Sequence, residues 1–216
     1  DFEVPEIPDD HEVFLCFDGV IYSCNVYLNG EHVGDHDRGY SPFQLRVTDQ
    51  IKKQNRLFVL VNSEMREDRV PGIRCDWNND GGIVNGVKLI FVPKVHIENF
   101  RTETRSEGGQ AIIRFQVLAV RFQGEEPLEL PVTIEIPELN VREDLSVPVG
   151  GQAEAEVRLP CSTESRNLTP DTLLLWSPEH PKLYRTTLTT PYETIEDDIG
   201  YREIRTEGTQ ILLNGG

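Results

Sequence analysis

The stretch FDGVIYSCNVYLNGEHVGDHDRGYSPFQLRVTD, Phe17 to Asp49, decides the fold. It opens on the end of an apolar run and turns at Asp18-Gly19. Strand character resumes from Ile21 to Leu28. Asn29-Gly30 then supplies the two positive-φ positions that a two-residue hairpin requires. Glu31 to Gly34 is the short return. After a polar loop, Phe43-Gln44-Leu45-Arg46-Val47 alternates with the period of two expected of a strand. By spacing alone this is a β-meander.

Outward from that stretch the chain stays β. Val13–Phe17 (VFLCF), Leu57–Val61 (LFVLV) and Val87–Val92 (VKLIFV) are short, continuous apolar runs rich in β-branched and aromatic residues. They read as strands in sheets covered on both faces. Leu128–Ile136 (LELPVTIEI) and Ala153–Leu159 (AEAEVRL) alternate strictly, as strands with one wet face do. Pro131 cannot donate to a ladder, which marks its strand as an edge or a bulge. The only helical signal is a single turn over Thr48–Lys53, with Thr48 or Asp49 as N-cap. The change of pattern near Pro93-Lys94 divides the chain at residues 1–94 and 95–205, with 206–216 beginning something further. The second unit has the size of an immunoglobulin-like sandwich but lacks the Cys…Trp…Cys signature.

Composition removes several function classes. The formal net charge is −16 over 216 residues. Such a chain cannot replace phosphate counterions or seek an anionic bilayer surface, so neither nucleic acid nor membrane is expected as a partner. Four cysteines, Cys16, Cys24, Cys75 and Cys161, form no C-x-x-C pair and are too few for a disulfide scaffold. Cys16 and Cys24 fall in adjacent expected strands, where a disulfide and two buried thiols are both open and the thiols are favoured. His32 and His36 have the i, i+4 spacing of a helical metal site but lie in a return strand and loop, so no metal is expected, and no cofactor motif appears. Ser41-Pro42 and Ser177-Pro178 are turn punctuation. Asn167-Leu168-Thr169 is a glycosylation sequon that matters only in a secreted eukaryotic protein. The compartment is open, with a periplasmic or extracellular one slightly favoured.

One loop combines the groups that hold sugars. In Arg74–Ile83 (RCDWNNDGGI), Asp76, Asn78, Asn79 and Asp80 surround Trp77 and end in Gly81-Gly82. Carboxylates and amides hydrogen-bond vicinal hydroxyls, while an indole face packs on sugar C–H groups. On composition alone the plainer reading, an Asx-rich turn with glycines at positive φ, is preferred.

Taken as words, the residues resemble a family. Phe17-Asp18-Gly19-Val20, Val26-Tyr27-Leu28-Asn29-Gly30, Val33-Gly34, His36, Gly39-Tyr40, Pro42-Phe43 and Val47-Thr48-Asp49 are similar to the N-terminal sugar-binding domain of family 2 glycoside hydrolases. That family includes β-galactosidases, β-glucuronidases and β-mannosidases. Asp76-x-x-Asn79-x-Gly81-Gly82-Ile83, followed by Val87, resembles its D-x-x-N-x-G-G-I…V segment. Leu175-Trp176-Ser177-Pro178, Pro181, Leu183-Tyr184, Gly200-Tyr201-Arg202-Glu203-Ile204 and Leu213-Asn214-Gly215 are similar to the end of its middle sandwich. The chain departs from the family pattern at Arg38, Asp80 and Asn85-Gly86.

The resemblance implies an all-β chain: a partial jelly-roll sugar-binding sandwich over 1–94, an immunoglobulin-like β-sandwich over 95–205, and at 206–216 the start of a linker to a catalytic barrel. It implies an internal fragment, with the first part of the jelly roll before Asp1 and the catalytic glutamates on a barrel beyond residue 216. The partners implied are a carbohydrate substrate, held through the intact enzyme, and the barrel of the same chain, with a homo-oligomer left open. Asp76 takes the family position that contacts substrate hydroxyls, Asn79 shapes the turn, and Trp77 joins them as a substrate-binding candidate. No catalytic residue is assigned. The rival readings are a stand-alone carbohydrate-binding or adhesive sandwich and a purely structural one.

Overall fold

The computed structural model describes all residues except 65, 69–71, 74–79, 125–126, 167 and 216. It is built almost wholly of strands and divides into two compact units, Asp1–Lys94 and Val95–Gly216. Among the described residues no helix is long and apolar enough to cross a membrane.

The first unit contains β1 (Phe2–Glu3), β2 (His11–Phe17), β3 (Val20–Ile21), β4 (Ser23–Leu28), β5 (Glu31–Asp37), β6 (Phe43–Arg46), β7 (Gln54–Asn55), β8 (Leu57–Asn62), β9 (Gly82–Ile83) and β10 (Val87–Pro93). Two three-stranded antiparallel sheets, β10-β2-β6 and β5-β4-β8, supply its core, and the short pairs β1-β7 and β3-β9 close it. Val13, Leu15, Phe17, Val20, Cys24, Val26, Leu28 and Val47 form the buried cluster. The opening stretch behaves as its words require. Asn29 and Gly30 adopt φ of 54° and 90°, the positive pair of a tight hairpin between β4 and β5. Phe43 stacks on Phe17 at 4.8 Å and on His36 at 4.0 Å, so three residues of the fingerprint make one column of rings.

Several expectations are corrected here. Of the three apolar runs expected to be covered on both faces, the one in β2 alone is. Along β8 burial alternates, because one face meets the core through Leu57, Val59 and Val61 while Phe58 and Leu60 stay 59% and 55% exposed. In β10, Val87 and Ile90 are likewise exposed. Cys16 and Cys24 do not sit in neighbouring strands. They lie in β2 and β4, in different sheets, and both are buried free thiols whose pKa burial pushes up. The turn after β6 forms, with the Val47 carbonyl accepting from Gln50 and Ile51 N–H at 3.0 and 2.9 Å, but neither expected cap serves it. The Thr48 hydroxyl donates to Glu12 and accepts from Val13 N–H, and Asp49 pairs with Arg46 at 2.6 Å. A bulge between Val26 and Tyr27 sets His32 opposite Tyr27 and His36 opposite Cys24, residues three apart on β4 and therefore on opposite faces. The two histidines cannot converge on one ion.

The second unit contains β11 (Val95–Glu107), β12 (Gln110–Arg121), β13 (Glu129–Ile136), a 3-10 turn at Pro137–Leu139, β14 (Val141–Pro148), β15 (Gly151–Ser162), β16 (Leu173–Leu174), β17 (Tyr184–Thr189), β18 (Thr194–Ile199), β19 (Ile204–Glu207) and β20 (Gln210–Leu213). Sheets β11-β12-β15-β16 and β14-β13-β17-β18 enclose one core in which every second residue of β12 and β13 is buried. Pro131 is tolerated because the β13–β17 ladder covers only Thr133–Glu135, which leaves its strand locally an edge. Tyr201 is buried, and its hydroxyl hydrogen-bonds Thr186 Oγ1 at 2.7 Å. Trp176 N–H donates to the Tyr201 carbonyl at 2.8 Å, the Arg202 guanidinium lies over the indole at 5.0 Å, and Asn214 Nδ2 donates to the Trp176 carbonyl at 3.1 Å. These contacts join the Trp-Ser-Pro, Gly-Tyr-Arg-Glu and Leu-Asn-Gly words of the sequence.

Candidate functional site

Asp76, Trp77 and Asn79 lie outside the described residues, as do Arg74 and Asn78. What the structure describes is the base from which their segment leaves and to which it returns. On the outgoing side β8 ends at Asn62, whose backbone carbonyl accepts from Tyr22 N–H at 2.9 Å and whose side-chain oxygen accepts from Glu64 N–H at 2.9 Å. On the returning side Gly82 and Ile83 pair with Ile21 and Val20, and Val84 N–H donates to the Gly19 carbonyl at 3.2 Å. The two sides touch. A Cβ added to Gly81 would stand 2.1 Å from Ser63 Oγ and 2.3 Å from Ser63 Cβ, so the glycine backbone rests directly against that side chain. Gly82 has φ of 112°, a conformation that an L side chain rarely adopts.

Below the base, Asp18 ties the turn after β2 to the start of β10. Its N–H donates to the Gly86 carbonyl at 2.9 Å, its carbonyl accepts from Asn85 Nδ2 at 3.3 Å, and its carboxylate pairs with Lys88 Nζ at 3.0 Å. A Cβ at Gly86 would stand 3.1 Å from Asp18 Oδ2, and one at Gly19 would stand 3.0 Å from Asn85 Nδ2. Asn85-Gly86, a departure from the family words, is thus matched to Asp18 by size.

Ser63 and Lys88 escaped the sequence reading. Both sit at the ends of apolar runs and carry no motif of their own, and the spatial neighbours that give them roles are 18 and 70 residues away. Among the described residues no three His, Cys, Asp or Glu side chains cluster as a metal would require. Nor is any thiol among the described residues poised for attack, since burial pushes Cys16, Cys24 and Cys161 above their ordinary pKa.

Comparison with known proteins places this arrangement. Residues 1–96 match the family model described as glycosyl hydrolase 2 galactose-binding domain-like, and residues 95–202 match that of glycosyl hydrolases family 2. A β-galactosidase of Thermoanaerobacterium thermosulfurigenes is 27% identical over 214 residues, 95% of this chain and 30% of the relative. The structure of a β-galacturonidase from Eisenbergiella tayi superposes with a TM-score of 0.69 at 26% identity, over 95% of this chain and 36% of that one. A β-glucuronidase from an uncultured Clostridium shares the fold with a TM-score of 0.72 at 24% identity, over 99% of this chain and 36% of that one. The chain therefore spans about a third of the length of these relatives. With two consecutive family domains matched end to end, this chain belongs to glycoside hydrolase family 2.

Proposed function

We propose that this chain is the non-catalytic scaffold and substrate-positioning region of a retaining exo-β-glycosidase of the β-galactosidase type. Its partner is the catalytic barrel of the same polypeptide, which supplies both catalytic glutamates. One observation carries the reading. Ser63 and Gly81, which bracket in sequence the segment that contains Asp76, Trp77 and Asn79, stand against each other, and the neighbouring Gly82 and Ile83 pair with β3. In this role Asp76 accepts hydrogen bonds from substrate hydroxyls. As a charged acceptor it strengthens them when the sugar ring changes shape in the transition state. Trp77 offers an apolar face to the sugar, and Asn79 shapes the turn between them.

The test is Asp76→Ala in the full-length enzyme. Its kcat/KM on the preferred β-glycoside falls by an amount corresponding to roughly 2–4 kcal/mol, the loss of a buried hydrogen bond to a charged group. An unchanged kcat/KM rules the role out. Measurable affinity of the isolated 216 residues for galactosides, glucuronides or mannosides in calorimetric titration favours instead a stand-alone carbohydrate-binding sandwich.

A further inference from the structure

We infer that the free edge of β11 is a self-association surface, along which residues 101–107 pair antiparallel with the same residues of a second copy of this chain. The inference is independent of the role proposed for Asp76.

The direction of the backbone groups follows from the hairpin. Gly108 and Gly109 have φ of 58° and 80°, a two-residue turn, so its closing pair Glu107–Gln110 exchanges hydrogen bonds. Pro160, which has no N–H, stands opposite Gln110 on the other side, as it must if Gln110 bonds toward β11. Counting back by twos, Glu107, Arg105, Glu103 and Arg101 direct their N–H and C=O groups to β12. Those of Ser106, Thr104 and Thr102 point the other way. β11 is the end strand of its sheet, and among the described residues no backbone hydrogen bond reaches these three from that side. Beside the edge lies an open groove of about 660 Å³, with Thr102–Arg105 on one wall and Asp197–Arg205 on the other.

Edge strands are ordinarily blunted by brevity, proline, charge or a bulge. β16, at the other end of this sheet, has two residues, and β14 contains Pro148. β18 carries Glu196-Asp197-Asp198, like charges that repel a copy of themselves. β11 runs for 13 residues with no proline or lysine, and its bulge, between Ile97 and Asn99, lies outside 101–107.

Charge selects the occupant. The stretch reads RTETRSE and is complementary to its own reverse. An antiparallel ladder with its twofold axis at Thr104 sets Glu103 against Arg105 and Arg101 against Glu107, each pair occurring twice. Thr104 then exchanges both backbone bonds with its own copy, and Thr102 does so with Ser106. An axis at Glu103 would oppose Arg101 to Arg105, and one at Arg105 would oppose Glu103 to Glu107, both unfavourable. An axis at Thr102 keeps only the Arg101–Glu103 pairs. The four charged side chains are exposed on the outer face, while the inner face of the stretch carries only Thr102, Thr104 and Ser106. Among the described residues Arg101 and Glu107 have no ion-pair partner, and Glu103 meets Arg105 and Arg114 only at 3.4 and 3.9 Å, so little is given up on pairing. Backbone bonds supply the affinity, and the charges fix the register.

Sedimentation velocity of the full-length polypeptide provides the test. Two variants make the edge uniform in sign: R101E/R105E is acidic at 101, 103, 105 and 107, and E103R/E107R is basic at all of them. Each alone loses one association step of the wild type, its dissociation constant rising at least about tenfold. Mixed in equal amounts, the two restore that step as a heterodimer, because every pair across the axis is again opposite in sign. Restoration also shows that both variants are folded. Thr102→Pro removes an edge N–H without touching the β12 ladder and weakens the same step by about tenfold or more. A wild-type polypeptide that stays monomeric at every concentration overturns the inference, and so does a mixture that fails to associate. Wild-type assembly in either charge variant, or in Thr102→Pro, equally removes the β11 edge as the contact.

Discussion

At the scale of the residue, Glu12 shows how this fold uses a charge it has removed from water. Its side chain is 0% exposed, and Oε2 accepts from Arg46 Nε at 2.6 Å and Thr48 Oγ1 at 2.5 Å. Among the described residues Oε1 has no partner. Burial raises the Glu12 carboxyl, but the hydrogen bonds from Thr48 and Arg46, together with the Arg46 charge, outweigh it and hold the group below its ordinary pKa. A carboxyl depressed by folding stabilises the native state above its unfolded pKa of ~4.3 and loses that contribution as pH falls through the folded value. Glu12→Gln is therefore expected to cost about 1.5–3 kcal/mol at pH 7, since it weakens two charge-assisted bonds. It should also flatten the fall in stability below pH ~4.3, where the wild-type carboxyl takes up its proton. Urea unfolding between neutral and acid pH measures both effects, and a variant with an unchanged acid slope contradicts the assignment. No sequence pattern announced Glu12. It precedes an apolar run as an ordinary polar flank, and its partners are 34 and 36 residues away.

At the scale of the element, what was legible is what is local. Asn29-Gly30 encodes its own turn because positive φ is a property of those two residues. The alternation in β13 encodes a half-buried strand because side chains point to alternate faces. The runs LFVLV and VKLIFV misled, since apolar residues on both faces do not say whether both faces are covered. The outer face of β8 carries Phe58 beside Tyr27, ring centroids 6.1 Å apart, and stays open. The segment Gly200–Arg202 depends on contacts that no local pattern reports. A Cβ at Gly200 would stand 2.7 and 2.9 Å from Trp176 Cδ1 and Cγ, in a ring under the Arg202 guanidinium, and the Trp176 backbone N–H is held by the Tyr201 carbonyl. Gly200→Ala is expected to destabilise the second unit by about 1–3 kcal/mol through overpacking. Tyr201→Phe, which leaves a buried Thr186 hydroxyl without its 2.7 Å partner, should cost about 1–3 kcal/mol. Denaturant titration with near-ultraviolet dichroism of Trp176 as a local probe checks both. Wild-type stability in either variant would remove that contact from the account.

At the scale of the whole molecule, the two units have separate cores, one around Leu28 and the other around Ile134. Leu28→Ala and Ile134→Ala, each at a fully buried position, should each cost about 2–5 kcal/mol in the unit that holds it. Because the cores share no residue, the double variant should show the sum to within about 0.5 kcal/mol. A larger deviation measured by urea unfolding would mean that the cores are coupled. The sequence by itself determined the all-β class, the hairpin at Asn29-Gly30 and the family, because φ preferences, side-chain alternation and short motifs are written in neighbouring residues. Only the tertiary structure decided which apolar faces are covered, that Cys16 and Cys24 lie in different sheets, that a bulge parts His32 from His36, and that Ser63 closes on Gly81. Each of these depends on which strands become neighbours. That choice is made by burying the two cores, through contacts between residues far apart in the chain, and no window of the sequence contains it.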